Sequence, residues 1–250
     1  MKHIFNILII ILLACTNLLG SESLGRRPVR VLVITGGHDY NADEFNRMLS
    51  SLEPKATCRI AELPGAYEMF LPENRNSYDV LVFYHMWQNI TPEQAGFFSD
   101  CIAEGKPVVV LHHSICAYDD WPEYWNIAGG KYFHKETTVN GKLYKPCSYT
   151  HDVHLKVRII DKKHPVTKGL KDFQIFDEVY HGYYVREDVT PLLATDHSGS
   201  EPVIGWTHTY GKARVVTLQS GHDTNAFENP DFRKLLKQAV LWVYKESGKI

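Results

Sequence analysis

Four stretches of the chain are dominated by apolar and β-branched residues without strict alternation: residues 29–35 (VRVLVIT), 78–84 (YDVLVFY), 108–111 (VVVL) and 214–218 (RVVTL). Such runs read as strands buried on both faces, the habit of a parallel sheet covered by helices. Residues 58–63 form a further candidate strand. Between the strands, Phe45, Met48, Leu49 and Leu52 recur at helical spacing behind Asp43 and Glu44, which predicts an amphipathic helix. Thr91-Pro92-Glu93-Gln94 places a cap, a first-turn proline and a capping-box glutamine before Phe97, Phe98, Cys101 and Ile102. A final helix opens at Asn229-Pro230 and carries Phe232, Leu235, Leu236, Ala239, Val240 and Val243 on one face. Residues 151–160 alternate, with Val153, Leu155, Val157 and Ile159 on one side, and predict a half-buried strand. Residues 115–150, rich in Trp, Tyr, Gly and Lys, read as a long insertion over the sheet. Strands alternating with helices imply βαβ units and an α/β fold.

Composition narrows the picture. A 44% hydrophobic, 22% charged chain of 250 residues excludes a disordered protein and has ample material for one core. The formal net charge of −2 gives no reason to expect nucleic acid as a partner. Eleven nearly uninterrupted apolar residues at positions 4–14 match the core of an export signal and are too short to span a bilayer. Leu12-Leu13-Ala14-Cys15 is similar to a bacterial lipobox that would lipidate Cys15; cleavage near Ser21 or Ser23 is the rival. Either way the expectation is export, to the periplasm or to the outer membrane through a lipid anchor. Residues 1–20 are then signal, 21–28 a tether and 29–246 a single folded domain. Cys58, Cys101, Cys116 and Cys147 remain, enough for two disulfides with no pairing fixed.

The thirteen histidines are the unusual feature. Strand-like runs lead directly into His38, His85, His112-His113 and His222. In an open parallel sheet, ligands bind beyond the C-terminal strand ends, so these side chains are expected along one edge. Of the adjacent pair, His113 is expected to enter the site, because successive residues face opposite ways. His151, His154 and His197 have ordinary surface readings. Asp177, Glu178 and Tyr180 are candidates for acid–base work, and Asp39 and Asp223 for orienting an imidazole. Trp87, Trp121, Trp125 and Tyr132 offer flat faces suited to a sugar ring.

Several ordered motifs together resemble the ThuA-like (trehalose utilisation) family: LHHS at 111–114, GGKYFH at 129–134, HPVTKGL at 164–170, FDEVY at 176–180, Trp206 with YGKARV at 210–215, and SGHD at 220–223. The resemblance implies a flavodoxin-like, doubly wound, mainly parallel sheet with helices on both faces, of the class I glutamine amidotransferase-like superfamily. Amidotransferases of that superfamily carry a cysteine in a Gly-x-Cys-x-Gly elbow after a central strand; here that strand runs into His112-His113-Ser114, so glutamine hydrolysis is not expected. The resemblance implies carbohydrate metabolism, with trehalose, related disaccharides and 3-keto-sugars as the substrate class. The expected site has His113, Asp177, Glu178 and Tyr180 as catalytic groups. Trp87, His112, Trp121, Trp125, Tyr132 and Trp206 are expected to bind substrate, and His38, His113, His134 and His222 to hold a divalent metal such as zinc. A metal-dependent glycoside or keto-sugar hydrolase or lyase is the leading reading. A non-catalytic sugar-binding lipoprotein and a degenerate amidotransferase-like scaffold stand beside it. The oligomeric state is left open.

Overall fold

The computed structural model describes residues 27–245. The signal segment, Cys15 and most of the tether lie outside the described residues. In chain order the elements are β1 (Val29–Gly36), α1 (Ala42–Ser50), β2 (Ala56–Glu62), β3 (Val80–His85), α2 (Pro92–Ala103) and β4 (Val108–Leu111). There follow α3 (Pro122–Ala128), β5 (Gly130–Lys131), β6 (Thr137–Val139), β7 (Lys142–Tyr144), β8 (Ser148–Ile159) and β9 (Phe173–His181). The chain continues through β10 (Tyr184–Val185), β11 (Thr190–Ala194), β12 (Val203–Tyr210), β13 (Ala213–Leu218), α4 (Thr224–Glu228) and α5 (Pro230–Lys245).

Nine strands form the central sheet in the order β2-β1-β3-β4-β13-β12-β11-β8-β9. The first five are mutually parallel, and the remaining pairings are antiparallel. The α/β architecture agrees with expectation, but almost half of the sheet is antiparallel. The sequence patterns of β11 and β12 are too short or too polar to announce strands unaided. The expected bounds also shift: residues 58–63, 78–84 and 151–160 give way to β2, β3 and β8 as bounded above.

The unbroken apolar runs are explained by two cores. Val31, Val33, Val80, Val82, Val109, Leu111, Val216 and Leu218 pack with residues of α1, α4 and α5. Leu32, Ile34, Leu81, Phe83, Val108, Val110 and Val215 pack with residues of α2 and α3 on the other face. Alternate residues of one strand thus serve different cores. Helix starts follow their local signals. Asn41 caps α1, and Thr91 with Gln94 forms the full capping box of α2. The Asn229 side chain accepts from the Asp231 and Phe232 N–H groups at the start of α5.

The 115–150 segment is less an excursion than a covering layer. Tyr118 and Tyr124 are fully buried in the second core. Trp206 is also fully buried, and its indole donates to the Ala128 carbonyl (3.1 Å). A Cβ on Gly130 would come within 2.8 Å of the Trp206 ring, so the close approach requires glycine there. Trp206 therefore packs the insertion onto the sheet and, contrary to the sequence expectation, offers no face to a ligand. All four described cysteines are free thiols.

Candidate functional site

The parallel half of the sheet sets the site. β1, β3, β4 and β13 end at one edge, and His38, His85, His112 and His222 follow or close those strands. At β4 the chain turns sharply: His112 has φ +45°, a left-handed conformation uncommon outside glycine. This is the position where the resemblance places the missing cysteine elbow, and a histidine stands there instead.

The turn sends the two neighbours apart: His113 lines the cleft, as expected, and His112 joins the metal-capable group beside it. His112 enters a polar cluster: its Nε2 lies 2.8 Å from Glu178 Oε2, 3.2 Å from His222 Nδ1 and 2.8 Å from the Tyr180 hydroxyl. His222 Nδ1 is 3.3 Å from the same Glu178 oxygen. His113 is buried against the first core, stacked on His38 (4.5 Å between ring centres) and tilted against Tyr84 (4.3 Å). One edge of it still lines the cleft.

Proton accounting shows what the cluster can do. His112 Nδ1 sits 2.6 Å from the Gln219 carbonyl, which can only accept, so Nδ1 carries a hydrogen. In the neutral ring its Nε2 then offers a lone pair, toward which the Tyr180 hydroxyl can donate. The short contact of Nε2 with the Glu178 oxygen is held by a shared proton or by a metal ion, and His222 Nδ1 joins it as an acceptor in one tautomer and as a donor in the other. Burial works against charge on both Glu178 and His222. The histidine hydrogen bonds nevertheless hold the Glu178 carboxyl well below the usual carboxylate range, and Glu178 raises the His222 imidazole. Among the described residues, His112, Glu178 and His222 are the group whose donor atoms converge closely enough, all within 4.8 Å, to hold a metal ion. Two of the three donor separations, 3.2 and 3.3 Å, match the edge of a tetrahedron with ligands at about 2.0 Å, the usual zinc–nitrogen distance, and the third, between His112 Nε2 and Glu178 Oε2, is shorter at 2.8 Å.

A cleft of about 230 Å3 opens beside this group, lined by Glu178 and Tyr180 together with His38, His113, His134 and His151. Tyr132 and Tyr149 add aromatic faces, and Met86 and Cys116 the remaining wall. Burial lowers the His38 and His113 imidazoles, which favours their neutral forms. His134 is held at the rim: its Nδ1 lies 2.9 Å from Asp119, whose carboxylate also accepts from the buried Lys131 ammonium (2.8 Å).

The expected metal set of His38, His113, His134 and His222 is thus not brought to one point. Only His222 belongs to the convergent group. His112, expected to bind substrate, and Glu178, expected to act in catalysis, complete it. Asp177 lies outside the cleft lining. Its fully buried carboxylate accepts from the Glu178 and His222 N–H groups (3.0 and 2.9 Å) and from Gly221 N–H (2.8 Å), fixing the loop that carries His222. Trp125 donates its indole N–H to the Tyr118 carbonyl (3.1 Å) and packs on Phe133, so it braces the covering layer. Trp87 and Trp121 line a separate groove.

Three residues were not anticipated. His151 Nδ1 is 3.2 Å from Glu178 Oε1, and its ring is 4.8 Å from that of His222. A register shift between Thr150 and Val153, with Asp152 at φ +57°, inserts an extra residue opposite β9. That bulge lets His151 face Glu178 while Val153, Leu155 and Val157 keep facing the core. Simple alternation over residues 151–160 hid it. Gln219, fully buried, positions His112 through its carbonyl and donates its side-chain amide to the Glu178 carbonyl (2.9 Å). Lys131 stood in plain view in the GGKYFH motif, but no local pattern announces a buried ammonium tied to the Cys116 and Ala117 carbonyls.

Comparison with known proteins agrees with this architecture. The family model for ThuA, described as trehalose utilisation, matches residues 30–243. A protein from Parabacteroides merdae described as ThuA-like superposes with a TM-score of 0.70 at 21% identity, over 87% of this chain and 90% of the other. A second from Bacteroides uniformis gives 0.65 at 20% identity, over 87% and 92%. A cold-adapted β-galactosidase from Rahnella sp. R3 shares the fold at 12% identity and a TM-score of 0.56, over 87% of this chain but 32% of the enzyme. No curated protein sequence matches significantly. A match over nearly all of the described residues settles membership: the chain belongs to the ThuA family.

Proposed function

We propose that the protein is exported and acts on a small carbohydrate, a glycoside, disaccharide or 3-keto-sugar, bound in the histidine cleft. Its metal site is His112, Glu178 and His222, and its ion a divalent metal such as zinc. The observation that carries this reading is the convergence of two imidazole nitrogens and a carboxylate oxygen beside an open, aromatic-walled cleft. Two imidazoles and a carboxylate are a donor set suited to zinc. Bound there, such an ion supplies Lewis acidity toward a sugar carbonyl or toward water. The protein's own groups do the rest. Gln219 and Asp177 hold His112 and the His222 loop in place. The Tyr180 hydroxyl, buried and held protonated, is a hydrogen-bond donor for a substrate oxygen. His38 and His151 line the cleft as imidazoles able to accept a proton from an acidified C–H or from water. Tyr132 and Tyr149 present faces to the ring. Hydrolysis and elimination both fit this set of groups.

Elemental analysis of the purified protein, followed by titration of the stripped protein with zinc, tests the site. One equivalent should bind to the wild type and be lost in His112→Ala and Glu178→Gln. A wild type that takes up no divalent ion overturns the metal reading. Turnover of 3-keto-glycosides abolished in His222→Ala marks an enzyme; sugar affinity with no product marks a binding protein.

A further inference from the structure

The proton balance at the cleft leaves one task without a group. Whether water or elimination cuts the bond from the anomeric carbon, its electron pair goes to the departing oxygen, and that oxygen must gain a proton. His38 and His151 accept protons, and the Tyr180 hydroxyl beside His112 is held protonated. His134 lines the same cleft at its rim, with its side chain 34% exposed. Its ring packs on Tyr132 (5.2 Å between centres) and Tyr132 packs on Tyr180 (5.1 Å). Two aromatic rings thus stand between His134 and the His112–Glu178–His222 group, and the rim is where a departing group meets solvent.

The local structure is built around this imidazole. Its Nδ1 lies 2.9 and 3.0 Å from the two Asp119 oxygens, which can only accept, so Nδ1 carries a hydrogen. Nε2 is left for chemistry. Asp119 is itself held by the Lys131 ammonium (2.8 Å) and, through its backbone N–H, by the Gln88 side chain (2.9 Å). Burial works against charge on Asp119, but hydrogen bonds from Lys131 and His134 hold its carboxyl below the ordinary value, so it stays ionised. A fully buried ammonium is costly unless paired, and the charged partner of Lys131 is the carboxylate that orients a cleft histidine. A carboxylate holding Nδ1–H leaves Nε2 to take up and release a proton, the arrangement of an acid–base histidine. We propose that His134 is the general acid of the cleft, its Nε2–H giving the proton to the departing oxygen, with Asp119 and Lys131 as positioning residues. In elimination from a 3-keto-sugar, the C2–H proton passes to His38 or His151 and the C–H pair becomes the C1–C2 double bond. The C1–O bond breaks toward oxygen, which takes the His134 proton. In hydrolysis the oxygen of water bonds to C1 instead, and the proton that water loses goes to the base. The inference rests on the carbohydrate reading of the cleft and adds to it the group that releases the product.

Turnover of the methyl and 4-nitrophenyl 3-keto-D-glucosides, each as both anomers, tests it. Methanol departs only with a proton, whereas 4-nitrophenolate leaves without one. In His134→Gln the ratio of nitrophenyl to methyl turnover should rise by about 100-fold or more over wild type. Asp119→Asn should move the same ratio in the same direction. Both variants should keep the circular dichroism and the zinc stoichiometry of wild type, and His134→Ala stands in if glutamine disturbs the rim. Equal losses on both substrates in a folded variant, or no loss on either, overturn the general acid and leave the cleft reading standing. An unmoved ratio in Asp119→Asn overturns its positioning role. Loss of zinc in His134→Gln would make His134 a ligand and overturn the proposal as well. A wild type inactive on every one of these substrates overturns the enzymatic reading and the general acid with it.

Discussion

At the scale of single residues, roles in the cluster divide between atoms that converge and atoms that hold them. Glu178 does both: one carboxylate oxygen meets His112 and His222, and the other meets His151. His151 is therefore an outer partner. Replacing it with alanine should weaken metal affinity by about 10-fold, within the range for such partners, while Glu178→Ala abolishes binding. A zinc titration distinguishes the two, and equal losses would remove the distinction drawn here. Asp177 makes no contact with the cleft, yet its carboxylate takes three backbone N–H groups. Asp177→Ala leaves those donors buried and unpaired. It should cost about 1–3 kcal/mol in urea denaturation and loosen the His222 loop. The histidine spacing that drew attention in the sequence thus found the edge of the site. It put His113 in the cleft lining but did not show that His112, at a left-handed turn after β4, is the one that meets Glu178 and His222.

At the scale of elements, β8 shows how a local irregularity creates function. Val153, Leu155 and Val157 were readable as a core-facing row, and they are one. The bulge at Asp152 is what turns His151 toward Glu178. Asp152→Gly should keep or slightly raise stability, since glycine adopts φ +57° without penalty. Asp152→Val should cost about 1–2 kcal/mol. The comparison is read in denaturation midpoints, and a β-branched residue tolerated as well as glycine would refute the bulge's role. The covering layer offers a second case. Tryptophans 125 and 206 looked like sugar platforms because flat aromatic rings serve binding and packing equally well. Trp206→Ala should cost about 3–5 kcal/mol, the price of an emptied aromatic site in a close-packed core.

At the scale of the whole molecule, acid is the weak direction. His85 is fully buried among Phe83, Tyr118 and Tyr124, and burial lowers its imidazole from 6.5 to about 3. A group depressed on folding stabilises the fold above its unfolded value and loses that contribution as pH falls toward the folded one. His85 therefore erodes stability between pH 6.5 and about 3, by roughly 1.4 kcal/mol per pH unit once the unfolded form is protonated. Asp79 acts in the same direction further down. Burial opposes its charge, but hydrogen bonds from Arg27 and Arg30 hold its carboxyl below the usual range. Its contribution is present above about pH 3.9 and lost as pH falls through the lowered value. His85→Phe should flatten the acid limb of the stability–pH curve above pH 3. Superimposable curves for wild type and variant would show that His85 does not set it. Among the described residues no helix is long and apolar enough to cross a membrane.

The α/β architecture, the helix starts and the ordered family motifs were determined by the sequence itself, because each rests on signals within a dozen residues. β-branched runs need burial on two faces, Thr91-Pro92-Glu93-Gln94 caps a helix wherever it lies, and Phe232 to Val243 must face a core. Strand ends then named the histidine-rich edge. Which histidines meet was decided only by tertiary structure. The Glu178 that joins His112 to His222 comes from β9, at the far end of the sheet order, with four strands intervening between it and β4. It reaches them because the antiparallel half of the sheet and the bulge in β8 bring β9 and His151 to the parallel edge. No spacing along the chain encodes that meeting; it follows from how the sheet closes over its two cores.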